Sequence, residues 1–71
     1  MKKIIKISMN NVPLEIMEES PFLIQNLADY ISDQKVGFIQ GFIYNYKDTD
    51  YILICEKLRA EKVYIYCKVK R

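Results

Sequence analysis

The chain reads as an α+β domain in which a single helix packs on a mixed sheet, with elements in ββαβββ order. Three observations predict this. From Val36 to Lys70 the sequence holds three runs rich in β-branched and aromatic residues, separated by two polar breaks. Ahead of them, Leu23, Ile24, Leu27, Ala28 and Ile31 recur at helical spacing. The N-terminal residues alternate apolar and polar, as a strand does. At 71 residues the chain is one domain covering 1–71.

Taken in order, Lys3 to Met9 places Ile5, Ile7 and Met9 on one side and Ile4, Lys6 and Ser8 on the other. Asn10-Asn11 tolerates positive φ, so a two-residue type I′ hairpin is expected there. Folding back at that point sets Met9 opposite Val12, Ile7 opposite Leu14 and Ile5 opposite Ile16, with Lys6 beside Glu15 and Lys3 beside Glu18. Pro13 cannot donate to a ladder, which puts this second strand at a sheet edge. Ser20-Pro21 then supplies a side-chain cap and a proline for the first helical turn. The helix runs on to Gln34 or Lys35 and stops before Gly37.

The three later strands are Val36–Tyr46, Tyr51–Leu58 and Lys62–Lys70, joined by four-residue connections. Matching apolar faces sets Tyr46 opposite Tyr51, Ile43 beside Ile54, and Leu58 opposite Val63. One face is then aliphatic (Ile39, Ile43, Ile52, Ile54, Leu58, Val63, Ile65, Cys67, Val69), and the helix is expected to cover it, with Gly37 and Gly41 easing its approach. The other face carries Phe38, Phe42, Tyr44, Tyr46, Tyr51, Leu53, Cys55, Tyr64 and Tyr66, fringed by Lys57, Lys68 and Lys70.

The element order resembles in outline the ubiquitin-like β-grasp superfold, over the first half of the chain. That resemblance implies a first strand joining the last in parallel and a helix crossing one face of a five-stranded sheet. The C-terminal Lys68-Val69-Lys70-Arg71 lacks the paired glycines of a conjugated relative, so no activity carries over. The alternative architecture is a small, partly closed β-barrel with one helix, in which the N-terminal hairpin folds over the rings.

Composition bounds the function classes. Apolar residues make up 51% and charged residues 28%, which favours a folded globule over a disordered segment. The net charge is +2, but from Lys57 onward six basic residues face only Glu61, a net +5 over fifteen residues. Cys55 and Cys67, expected on opposite faces of neighbouring strands, cannot be bridged and read as free thiols in a reducing compartment. MKKIIKIS is followed by polar residues, so no signal peptide is expected, and no run nears the roughly 18 apolar residues of a membrane span. A cytoplasmic protein follows. Richness in Ile, Lys, Asn and Tyr fits an AT-rich bacterial, phage or mobile-element gene.

No catalytic, metal or cofactor site is expected. Histidine is absent, removing the commonest acid–base group near neutral pH. Glu18-Glu19 precedes a helix start, where negative charge is favoured anyway, and Asp48 and Asp50 sit in a turn. Cys55 lacks a basic partner beyond Lys57 and reads as a small strand residue.

The informative feature is the seven rings Phe38, Phe42, Tyr44, Tyr46, Tyr51, Tyr64 and Tyr66 on one expected face. Even half exposed they would present roughly 500–900 Å², against about 300–600 Å² for the largest patch on an ordinary monomer. Such a face needs cover, so these seven residues are the candidate contact with a protein partner or a second copy. The alternative partner is single-stranded nucleic acid, with Tyr64 and Tyr66 stacking bases and Lys57, Lys68 and Lys70 neutralising phosphates. Gly41-Phe42-Ile43-Tyr44-Asn45-Tyr46 is similar to the aromatic-and-glycine strand of RNA-recognition motifs, a module with a different element order.

Overall fold

The structure, a computed structural model, describes residues 5–70. Four strands and two helices follow in the order β1 (Lys6–Asn10), α1 (Leu14–Glu19), α2 (Leu23–Ser32), β2 (Ile39–Tyr46), β3 (Thr49–Arg59) and β4 (Lys62–Val69). The sheet runs β1-β4-β3-β2. The α+β class is as the sequence implies, and β1 pairs with β4 in parallel, Lys6 opposite Lys62 and Ile7 opposite Val63. The sheet stays open, so the barrel alternative does not form.

The expected second strand is a helix instead. Asn11 does take positive φ, at 58°, but the chain then winds into α1, with the Ile16 and Met17 amides donating to the Pro13 carbonyl. The cause is legible in Leu14-Glu15-Ile16-Met17-Glu18-Glu19: leucine, methionine and glutamate favour helix, and glutamate is depleted from strands. Face matching was the weaker guide. Lys6 and Glu15 are therefore not cross-strand neighbours, and the Lys3 half of the Lys3–Glu18 pair lies outside the described residues. The β-grasp outline loses its second strand, and the described sheet has four strands rather than five.

Ser20 begins no helix as a cap. α2 starts two residues later, with Phe22 at the N-cap and no side-chain cap bond; the Ser20 hydroxyl instead hydrogen-bonds the Tyr44 hydroxyl at 2.8 Å. The apolar stripe of α2 is as expected: Ile24, Leu27, Ala28 and Ile31 are buried. The helix ends at Ser32, and Gly37 turns the chain into β2 with φ +92°, a conformation glycine adopts without a Cβ penalty.

Both hairpins are tighter than the four-residue connections suggest. Tyr46 pairs with Thr49 around Lys47-Asp48, whose φ values of 49° and 61° are those of a type I′ turn. Tyr44 thus faces Tyr51, and Ile43 faces Ile52. This is a two-residue slip from the expected register, which preserves faces. The second hairpin matters more. Arg59 pairs with Lys62, as the expected register implies at the turn, but a bulge between Lys57 and Arg59 then sets Lys57 opposite Val63 and Cys55 opposite Ile65. One extra residue exchanges the faces of β4 relative to β3 and β2, so Leu53 and Cys55 join Val63 and Ile65 on one side.

The helix covers the expected face of β4, with Val63, Ile65 and Cys67 beneath it, but the opposite face of β2 and β3 from the one expected. Leu53, Cys55, Val63 and Ile65 are fully buried beneath α2, and Phe38, Phe42, Tyr44 and Tyr51 pack around that core. Ile39, Ile43 and Leu58 point away from it. Gly41 lies on the side away from the helix, where a Cβ would stand 3.4 Å from the Ile52 Cγ2. Cys55 and Cys67 share the helix-covered face, which removes the geometric reason given for their staying apart; both are nevertheless free thiols. They are diagonal neighbours, about 7–8 Å apart in such a ladder and beyond disulfide reach.

Truncating the covered face should destabilise the fold and trimming the other should not. Leu53→Ala is expected to cost about 2–5 kcal/mol in urea unfolding, and Ile43→Ser about 0.5 kcal/mol or less. Equal costs would contradict this assignment of faces.

Candidate functional site

The expected seven-ring face is divided between the two sides of the sheet. Phe38, Phe42, Tyr44 and Tyr51 lie on the helix side, with Tyr46 half-buried at the end of the same row. Tyr30 of α2 meets Phe38 and Phe42 edge-on, at ring-centroid distances of 6.5 and 6.2 Å. α2 sits over β3 and β4 rather than β2, and these large rings fill the wedge between the helix flank and the outer strand. Size explains their place: a ring spans a gap an isoleucine leaves open. They are supports of the core, not a free stacking surface.

Lys57 is likewise withdrawn from the candidate set. It is 5% exposed and runs beneath the helix, where its ammonium donates to the Ser32 carbonyl at the C-terminus of α2. The negative end of the helix dipole favours a cation there, and the aliphatic stem packs as an apolar residue would. Opposite Val63, it occupies a core position that a charge-based reading assigns to solvent.

What remains is the open face. It is built from alternate residues of all four strands: Ile39, Gly41, Ile43 and Asn45 from β2, Ile52, Ile54, Glu56 and Leu58 from β3, and Lys62, Tyr64, Tyr66 and Lys68 from β4, with Lys6, Ser8 and Asn10 from β1. Four strands about 4.8 Å apart and about eight residues long make a face of roughly 500 Å². Its two halves differ. The β2–β3 half is aliphatic, with Ile39 at 59% and Ile43 at 62% exposure. The β4–β1 half is aromatic and basic.

In that second half the Tyr64 and Tyr66 rings lie 5.3 Å apart, tilted by 31°, and the Lys68 ammonium stands 6.0 Å from the Tyr66 ring centre. Lys70, two residues beyond Lys68, is exposed at the strand end. At the β3–β4 turn, a shallow cavity of about 350 Å³ is lined by Lys6, Arg59, Ala60, Glu61 and Lys62. Lys6, Arg59 and Lys62 are the basic residues absent from the expected phosphate contacts. Their signal was the net +5 of the C-terminal segment together with a parallel first strand.

Among the described residues, no three His, Cys, Asp or Glu side chains gather as metal ligands would, and no helix is long and apolar enough to cross a membrane. Burial pushes the Cys55 thiol up to about 11 and raises that of Cys67 as well. Protein-family models, curated proteins and solved structures were all compared with the chain, and none matches it.

The thiols set an alkaline limit. Because folding raises the Cys55 value above the ordinary 9.0, its contribution is complete below pH 9.0 and is lost as pH climbs toward about 11. Urea unfolding from pH 8 to 11 should show stability falling across that window, and Cys55→Ala, Cys67→Ala should flatten the fall. An unchanged slope in the double variant would assign the loss elsewhere.

Proposed function

We propose that this chain is a small, non-catalytic binding protein that docks another protein on the open face of its sheet. The carrying observation is the exposed aliphatic row of Ile39 and Ile43, continued by Ile52 and Ile54 on the neighbouring strand, on a side that no helix covers. Water-facing strands ordinarily alternate apolar-in and polar-out; here both sides of β2 and β3 are apolar. Tyrosines at Tyr64 and Tyr66 extend the same face with rings whose hydroxyls suit an interface rim. Of the seven rings first expected to dock, Tyr64 and Tyr66 keep that role, and Ile39, Ile43, Ile52 and Ile54 take the place of the five on the helix side. Two free, buried thiols support a cytoplasmic setting, and the composition supports a bacterial or phage source.

Photo-cross-linking in the host cell tests this. A benzophenone side chain at Ile54 should give discrete protein adducts, and the same group at Asp29, on the exposed side of α2, should give none. Adducts from Asp29 alone, or from neither site, would sink the reading.

A second reading is favoured by one specific observation, the Tyr64–Tyr66 ring pair with Lys68 beside it. Such a pair can stack single-stranded bases while Lys62, Lys68, Lys70, Lys6 and Arg59 meet phosphates. Affinity for a short oligonucleotide would then fall steeply with salt and drop on Lys62→Glu, Lys68→Glu. No binding at low salt removes this reading and leaves the first standing.

A further inference from the structure

β2 is an edge strand, and it carries none of the usual protections. Its eight residues, Ile39-Gln40-Gly41-Phe42-Ile43-Tyr44-Asn45-Tyr46, include no charge and no proline, and its pairing with β3 is unbroken by any bulge. The other edge, β1, has five residues, begins with Lys6 and is followed closely by Pro13. Long, regular, uncharged edges are templates for another strand.

The backbone shows what β2 offers. Lys57 N–H donates to the Phe38 carbonyl at 2.9 Å, and Tyr46 pairs with Thr49 across a two-residue turn. Even-numbered residues of β2 therefore turn their backbone groups toward β3. By the alternation of an antiparallel ladder, Ile39, Gly41, Ile43 and Asn45 aim N–H and C=O outward, where among the described residues they meet no strand.

We infer that the chain forms a two-fold dimer by antiparallel pairing of β2 with β2 of a second copy, making one eight-stranded sheet. The occupant is a second copy because the edge is complementary to itself. With Phe42 at the two-fold axis, Ile39 falls opposite Asn45 of the second copy and Gly41 opposite Ile43, all residues with outward backbone groups. This arrangement makes about eight new hydrogen bonds. The pairs respect the pleat: Gly41 leaves room for Ile43 on the open face, and Phe42 meets its own copy on the helix face, as Phe38 meets Tyr46. Antiparallel self-pairing closes after two chains, as an isologous interface does.

The inference goes beyond the proposed docking function, since it concerns β2 and leaves the open face available.

The test is sedimentation over a wide range of concentration, combined with amide hydrogen exchange of the unmodified chain. A dimer is expected, with the Ile39, Gly41, Ile43 and Asn45 amides exchanging at least tenfold more slowly at high concentration than on dilution. Ile43→Lys and Asn45→Pro, each at an exposed outward-facing position that leaves the β3 ladder intact, should give folded monomers by circular dichroism. Ile54→Lys, on the same face but one strand in, should remain dimeric. A monomer at every concentration overturns the inference, and so does a dimer whose four amides exchange freely or that Ile54→Lys alone dissociates. None of these results touches the cross-links expected from Ile54, which judge the docking reading separately.

Discussion

One ten-residue helix must shelter a four-stranded sheet, and it is too small to do so. α2 is about 15 Å long, and the molecule measures 16 Å along its thinnest axis, room for two layers and no third. Much of the rest follows from that shortage. The helix sits over β3 and β4, where Leu53, Cys55, Val63 and Ile65 make the driest part of the core. Beyond its flank, Phe42 and Tyr44 reach inward from β2 and Phe38 from the residue before it, and Tyr30 leans across to meet Phe38 and Phe42. The far side is left to water or to a partner.

Which far side this is depends on a single residue. The bulge at Leu58, between Lys57 and Arg59, brings Val63, Ile65 and Cys67 under the helix and sends Tyr64 and Tyr66 outward. Bulges add a kink and shift the register by one. This one also directs Lys57 inward, where a helix terminus accepts its charge. The lysine and the bulge are mutually dependent: without the shift the ammonium would have faced solvent, and without a carbonyl at the end of α2 a buried ammonium would have been costly.

The open face and the free edge meet along β2. Ile39 and Ile43 belong to both, contributing side chains to the face and outward backbone groups to the edge. A strand that is apolar on one side, aromatic on the other and uncharged along its rim has few comfortable arrangements in a monomer. The basic β4–β1 half is a different kind of surface, suited to a partner that brings negative charge or flat rings.

The sequence by itself determined the class, the helix stripe Ile24–Ile31, the positive φ near Asn10-Asn11, the strands after Val36 and the fact that the C-terminal half is apolar on both sides. These are local matters of period and propensity. It also held the clue to α1 in Leu14–Glu19, where helix propensity outweighed the apparent match of faces. Tertiary structure alone decided which side of the sheet lies beneath α2, because two apolar faces satisfy the same alternation equally well and only packing against a real helix breaks the tie. The bulge was invisible for a related reason: shifting β4 by one residue exchanges tyrosines for aliphatics, and both can be buried. Volume, not polarity, made the choice, with Leu53, Cys55, Val63 and Ile65 fitting under the helix and rings filling the space at its edge.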